Sequence, residues 1–355
     1  MKKVLAVVLA LVLTLSVVGM AMAEGGKVGV AMPTQSLQRW NQDGENMKAQ
    51  LEAAGFTVDL QYANNDVATQ VSQLENMISN GAQVLVVASI DGSALGTVLA
   101  TAKDAKIPVI AYDRLLTDTD AVDYYTTFDN YKVGQIQGQY IIDRFKLADD
   151  TVKGPFTIEF TAGSPDDNNA GLFFNGAFDL LKPYLDSGKL VCKSGQTTFE
   201  AVATPAWKSE TSQARMDNIL SAYYADALTG GTKLDICLCS NDSTALGVTN
   251  SLVAAGFTKD NIPVITGQDC DVANTKNMIA GLQAMSVFKD TRTLAEQTVK
   301  MVSDILGGKT PETNGTYNNK TKDVPSYNCT PVFADASNYQ AILIDSGYYT
   351  ADQLK

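Results

Sequence analysis

Short apolar runs recur along the chain, and each is followed by a longer stretch whose apolar positions fall three and four apart. Lys27–Met32, Phe56–Tyr62, Val84–Ala88 and Ile107–Ala111 read as strands. A helix running to about Ala54 carries Met47, Leu51 and Ala54 on one face, after a polar loop from Pro33 to Trp40. A second carries Val67, Val71, Leu74 and Ile78, and a third spans Ser93–Ala105. Gly55 and Gly81 stop the first two helices. Val84–Ala88 is apolar without alternation, as in a strand covered on both faces. Strand and helix thus alternate in the rhythm of βαβ units, which predicts a parallel sheet.

The pattern then restarts. Asp123–Phe128, Pro155–Thr161, Leu190–Ser194, Leu234–Ser240 and Ile262–Thr266 read as strands. Helices are expected over Asn130–Phe145, around Phe173, Phe174, Ala177, Leu180 and Leu181, and from just after Trp207 to about Ala225. A tail follows: a strand at Leu282–Phe288, a helix at Thr291–Leu306, a loop over 307–321, one strand at Val324–Phe333 and a short helix at Tyr339–Ile344. The tail is too small for a third domain. It is better used by adding elements to two sheets, with the chain crossing between lobes more than once.

Polar and aromatic residues collect where strands end. Ile107–Ala111 breaks into Asp113 and Arg114, an acceptor beside a rigid fork of donors. Arg39 and Trp40, Asp167 to Asn169, Asn241, Asp269 and Lys289 follow other strands in the same way, and Trp207 lies in a loop. Each has a plain structural explanation: Asp167 to Asn169 can cap a helix, Asn241 can serve a turn, Lys289-Asp290 can be a solvated pair, Trp207 can be core. The repetition in both halves argues for more, because open α/β sheets bind ligands beyond the carboxyl ends of their strands. Carboxylates accept, Arg and Lys donate, and Asn does both, a set that suits the hydroxyls of an uncharged polyol. Trp40 and Trp207, the two tryptophans, offer flat faces for a sugar ring.

Composition narrows the function. The 355 residues carry 27 Lys and Arg against 39 Asp and Glu, a net charge of −12, and no histidine. The lack of histidine removes Ser-His-Asp and Cys-His catalysis and His-ligated metals. The acidic balance disfavours nucleic acid and anionic lipid. No cofactor and no metal site are expected, including at the Asp149-Asp150 turn, where the alternating oxygen ligands of a calcium loop are missing. The five cysteines, Cys192, Cys237, Cys239, Cys270 and Cys329, are odd in number and not spaced as a disulfide scaffold, so at least one is unpaired or pairs between chains, and Cys237 and Cys239 read as core.

Residues 1–23 read as a signal peptide: Lys2 and Lys3, an apolar run from Val4 to Val18, and a cleavage site at Ala21-Met-Ala23. Removing two lysines and no acids takes the charge from 27 − 39 = −12 to 25 − 39 = −14. About 330 mature residues exceed what one core usually holds, so two domains are expected.

Seven motifs in order, Ala31-Met-Pro-Thr with Arg39-Trp40, Leu74-Glu-Asn-Met-Ile78, Ala111-Tyr-Asp-Arg114, Phe128-Asp-Asn130, Gly163-Ser-Pro-Asp-Asp-Asn-Asn-Ala170, Ser240-Asn-Asp242 and Gly267-Gln-Asp269, resemble the type I periplasmic monosaccharide-binding proteins of bacterial ABC importers. The likeness covers the mature chain. Asn241 looks like the xylose-binding branch, while the Gly195–Ser209 loop and Arg215-Met-Asp-Asn look like the multiple-sugar branch. The resemblance implies two doubly wound α/β lobes, 24–129 with 289–323 and 130–288 with 324–355, joined by a three-strand hinge near Phe128–Asn130, Phe288–Asp290 and Val324–Tyr327. It implies a sugar held by Arg39, Asp113, Arg114, Asp167, Asn169, Asn241, Asp269 and Lys289 and sandwiched by Trp40 and Trp207, with Asn168 as an adjacent candidate. It also implies a periplasmic monomer, cleaved after Ala23, that delivers an aldopyranose such as xylose, glucose, galactose or arabinose to membrane permease subunits. Two rival readings stay open. A sensor would present the same sugar to a membrane chemoreceptor or kinase. A glycosidase would need two carboxyls about 5–9.5 Å apart, and carboxylates engaged by Arg and Lys make poor proton donors.

Overall fold

The computed structural model describes residues 25–355. The expected signal peptide lies outside the described residues, among which no helix is long and apolar enough to cross a membrane. The first unit runs β1 (Gly25–Met32), α1 (Gln38–Ala53), β2 (Phe56–Tyr62), α2 (Val67–Ser79), β3 (Val84–Val87), α3 (Gly96–Asp104), β4 (Val109–Tyr112) and β5 (Tyr124–Phe128). The second runs α4 (Asn130–Phe145), β6 (Phe156–Thr161), α5 (Asn168–Asp186), β7 (Leu190–Val191), α6 (Ser209–Tyr223), β8 (Ile236–Cys239), α7 (Asp242–Ala254), β9 (Val264–Ile265), α8 (Val272–Ala280) and β10 (Met285–Phe288). The tail adds α9 (Thr291–Leu306), β11 (Gly315–Asn318), β12 (Asp323–Cys329), β13 (Val332–Asp335) and a π-helical turn at Gln340–Asp345.

Seven strands form the first sheet in the order β11-β12-β5-β4-β3-β1-β2, parallel except for the β11–β12 hairpin. The second sheet is β7-β6-β8-β9, all parallel. A parallel bridge from Gln268 to Val287 carries it on to β10, which pairs antiparallel with β13. The architecture is therefore two α/β lobes with largely parallel sheets, as expected. Each sheet is covered on both faces: Leu74, Met77 and Leu99 pack one side of the first and Met47, Leu51 and Met301 the other, all fully buried. The second lobe repeats the plan with Phe174 and Leu181 opposite Met216 and Leu252. Cys237 and Cys239 sit in that last cluster, and all five cysteines are unpaired.

The tail differs from expectation. The 307–321 loop contains β11, a polar edge strand whose pairing with β12 is set in space rather than by an apolar pattern. Val324–Phe333 is two strands in two sheets. β12 pairs parallel with β5 in the first lobe, and β13 pairs with β10 in the second. Pro331 has no N–H for a ladder, and the chain changes sheets there. A division between 323 and 324 would separate β12 from the sheet it belongs to, so the third crossing follows Cys329 rather than lying at Val324–Tyr327. The other two crossings fall between β5 and α4 and between β10 and α9. Asp129 N–H donates to the Cys329 carbonyl at 3.0 Å, tying the first crossing to the third.

Candidate functional site

β4 ends in a one-residue turn. Arg114 N–H donates to the Tyr112 carbonyl at 2.6 Å, which forces Asp113 into the left-handed region at φ 59°. Such a conformation is costly for a residue with a Cβ, and it persists only where neighbours hold it. Here the Asp113 carbonyl accepts from Tyr125 Oη at 2.7 Å, Thr127 Oγ1 at 3.0 Å and Asn169 Nδ2 at 2.7 Å. The turn aims Asp113 and Arg114 into the space between the lobes. Trp207 (φ 57°) and Asp269 (φ 99°) are also left-handed, so three residues of the site share this unusual backbone.

Charge is distributed across that space in pairs. Arg39, from the first turn of α1, donates from Nε to Asp43 Oδ2 at 2.9 Å, lies 3.4 Å from Asp269 Oδ1 through Nη1, and is hydrogen-bonded through Nη2 to Asp113. Lys289 Nζ sits 3.1 Å from Asp269. Arg114 Nε lies 3.0 Å from Asp167 Oδ2 without hydrogen-bond alignment, so its proton is unpartnered. Burial pushes Asp113 up, but Arg39, Lys289 and Arg114 outweigh it and hold the carboxyl below its ordinary range. Burial lowers Arg39, and Asp113, Asp43 and Asp269 reverse this and raise it well above the usual value. Burial leaves Asp167 raised despite Arg114. The Arg39–Asp269, Arg114–Asp167 and Asn169–Asp113 contacts all join one lobe to the other.

Helix caps supply part of the second-lobe wall. Asp167 caps α5 with Oδ1, accepting from Asn169 N–H at 2.9 Å, and turns Oδ2 to Arg114. Asn241 caps α7 with Oδ1, accepting from Thr244 N–H at 3.0 Å, which leaves Nδ2 for the cavity. The Trp207 ring lies against Gly163, where a Cβ would stand 1.8 Å from the indole, and it meets Phe173 edge to face at 6.2 Å. Trp40 is flanked by the guanidinium groups of Arg39 and Arg114 at 5.1 and 5.0 Å from its ring centre.

All ten expected residues, Arg39, Trp40, Asp113, Arg114, Asp167, Asn169, Trp207, Asn241, Asp269 and Lys289, line one cavity between the lobes. Asn168 is exposed and faces away from it. Lys289 is buried in the cavity, while Asp290 turns aside to cap α9 and pair with Arg292. Sequence reasoning missed Leu37, Phe173, Ser243, Gln268 and Asp271 in the lining. It also missed Gln70, which ties its amide to the Ala88 carbonyl (2.9 Å) and the Ile90 N–H (3.0 Å), fixing the loop whose Ser89 and Ile90 carbonyls receive Arg114. The lining carries four carboxyls and three cations. Burial first, then Asp269, pushes Asp271 up to about 7, so the cavity is close to neutral. An uncharged ligand rich in donors and acceptors matches it.

Residues 28–310 match the periplasmic binding protein domain. The chain is 51% identical to the multiple sugar-binding periplasmic receptor ChvE of Rhizobium radiobacter, over 94% of this chain and 93% of that protein. It is 35% identical to the D-xylose-binding periplasmic protein of Escherichia coli K12, over 94% of both. A crystal structure of an ABC transporter solute-binding protein from Clostridium phytofermentans with bound β-D-glucose is 62% identical. It superposes with a TM-score of 0.89 over 93% of this chain and 100% of that one.

Proposed function

The chain belongs to the periplasmic binding protein family, and from that premise we propose that it captures an uncharged aldopyranose between its lobes by hinge closure and delivers it to the permease of an ABC importer. It is a binding protein rather than an enzyme, as its relatives are solute-binding receptors. The observation that carries the sugar reading is the convergence of ten hydroxyl-matching and aromatic side chains, drawn from both lobes, on one near-neutral cavity. Arg39, Asp113 and Arg114 would meet the sugar from the first lobe, and Asp167, Asn169, Asn241 and Asp269 from the second. Lys289 would meet it at a crossing, and Trp40 and Trp207 would pack on its faces. Contacts from both lobes favour the closed form, because a ligand shifts a two-state balance by its preference for one state. The exported, periplasmic setting follows from the relatives and from the N-terminal reading.

Glucose and xylose are the first sugars to test, given what the relatives bind. Titration calorimetry with D-glucose, D-xylose, D-galactose and L-arabinose should show at least one binding in the micromolar range or tighter, and scattering should show contraction with that sugar. Failure of every aldose to bind more tightly than about 1 mM rejects the proposal. A membrane sensor would read the same closed surface. Recovery of a chemoreceptor or kinase, and not a permease, by sugar-dependent crosslinking would select that partner.

A further inference from the structure

α8 begins without the side-chain cap its sequence offers. Asp271 holds the N-cap position, where a carboxylate ordinarily accepts from a backbone N–H in the first turn, yet its side chain makes no such bond. The N–H of Val272, the first helical residue, is bonded to Gln38 Oε1 at 3.1 Å, and Gln38 opens α1 of the first lobe. The same amide donates from Nε2 to Tyr349 Oη at 2.8 Å, and Tyr349 Oη donates to the Cys270 carbonyl at 2.9 Å. A first-lobe side chain therefore finishes a second-lobe helix from across the cleft. Asp271 lines the cavity with a buried Oδ1 that has no partner, while its backbone N–H is held by Asp242 Oδ2 at 2.8 Å.

We propose that Asp271 is a further sugar-contacting residue: its carboxyl caps no N–H of α8 and offers the unpartnered Oδ1 to a ligand hydroxyl. The inference rests on the sugar-capture reading and adds to it a residue outside the expected set. The groups facing Asp271 are Asp269, Asp242, Arg39, Lys289, Tyr349 and Cys270. Burial and then Asp269 raise its titration to about 7, against Arg39 and Lys289. A protonated carboxyl both donates and accepts, which suits a hydroxyl better than a second anion beside Asp269 does.

The test is calorimetry with a bound aldose from about pH 5.5 to about pH 8.5 on the wild type and Asp271→Asn. Asn cannot ionise and still caps a helix, so folding is preserved. Wild-type affinity should fall about tenfold toward the alkaline end, while Asp271→Asn stays flat. An Asp271→Asn profile that follows the wild type overturns the inference while leaving sugar capture intact. A wild type that binds no aldose overturns both.

Discussion

Arg39→Met tests the electrostatic frame most directly. Met keeps much of the apolar stem and removes the one group bonded to Asp43 and Asp113 together. Asp269 retains Lys289 at 3.1 Å, but Asp113 loses its hydrogen-bonded cation and Asp43, fully buried, keeps only Tyr112 Oη at 2.5 Å. Removing one partner of a buried pair costs about 3–5 kcal/mol. The stranded carboxylates limit that loss by taking up protons. For a group with an ordinary value of 3.8, protonation at pH 7 costs about 1.4 kcal/mol for each of roughly three pH units, or about 4 kcal/mol. At pH 5 the same uptake costs about 1.6 kcal/mol. The variant should therefore lose about 4 kcal/mol at pH 7, and the gap to wild type should narrow by more than half at pH 5. Urea unfolding at both values, followed by circular dichroism, measures it. Arg39→Met/Asp113→Asn should recover part of the loss at pH 7. A deficit under about 1 kcal/mol, or one of equal size at both pH values, would refute the claim that Arg39 neutralises these buried acids.

Two further outcomes follow from the same geometry. Burial raises Asp43, Asp167, Asp242 and Asp271, so the folded state holds protons that the unfolded chain releases between about pH 4 and about pH 7. Ligand-free stability should decline across that window, by up to about 1.4 kcal/mol per pH unit for each proton held. Asp113 has the opposite sign and acts only below its ordinary 3.8. Melting temperatures at pH 5 and pH 7 that rise instead of falling contradict this. Asn241→Ser keeps a capping oxygen for α7 and loses the cavity-facing Nδ2, so it should weaken sugar binding about tenfold with a melting temperature close to wild type. Asn241→Ala should lose both, with an added stability cost of about 1 kcal/mol. Equal affinity for the Ser variant and the wild type removes Asn241 from the sugar contacts.

Legibility in the chain followed local causes. α4 and α9 begin where expected because Asp129 and Asp290 cap them, accepting from Lys132 and Arg292 N–H within two or three residues. Apart from Trp207, the cavity residues were readable because they follow strand ends, where the fold alone brings them to one edge. What escaped depends on partners remote in sequence. The α2 face read from Val71 and Ile78 is centred instead on Gln70, Leu74 and Met77, because the Gln70 amide finds its backbone partners beyond β3. α7 is buried beyond its Ala245, Val248 and Leu252 stripe, since Ser243, Thr244 and Gly247 let a wide surface of small residues pack. Trp40 lies on α1 rather than in the preceding loop. Asp271 stands at the N-cap of α8, and only the fold shows that its carboxyl lines the cavity instead of capping.

The choice between cap and ligand group, open from sequence alone, dissolves at the level of atoms. A carboxylate has two oxygens and an amide has an oxygen and a nitrogen, so Asp167 and Asn241 can each start a helix with one atom and face the cavity with the other. The helix then fixes the rotamer that aims the second atom. The same accounting locates the driving force for sugar capture. Hydroxyls that displace Asp269 from Arg39 or Asp167 from Arg114 exchange one charge-assisted contact for another, with little net gain. Trp207 Nε1, Gln268 Oε1 and Asp271 Oδ1 are buried polar atoms without partners. Each such atom costs about 1–3 kcal/mol while unsatisfied. A hydroxyl that reaches one of them recovers that cost with nothing to displace. On the proposed capture, a sugar binds to the extent that it answers these orphans while leaving the ion pairs rearranged rather than broken.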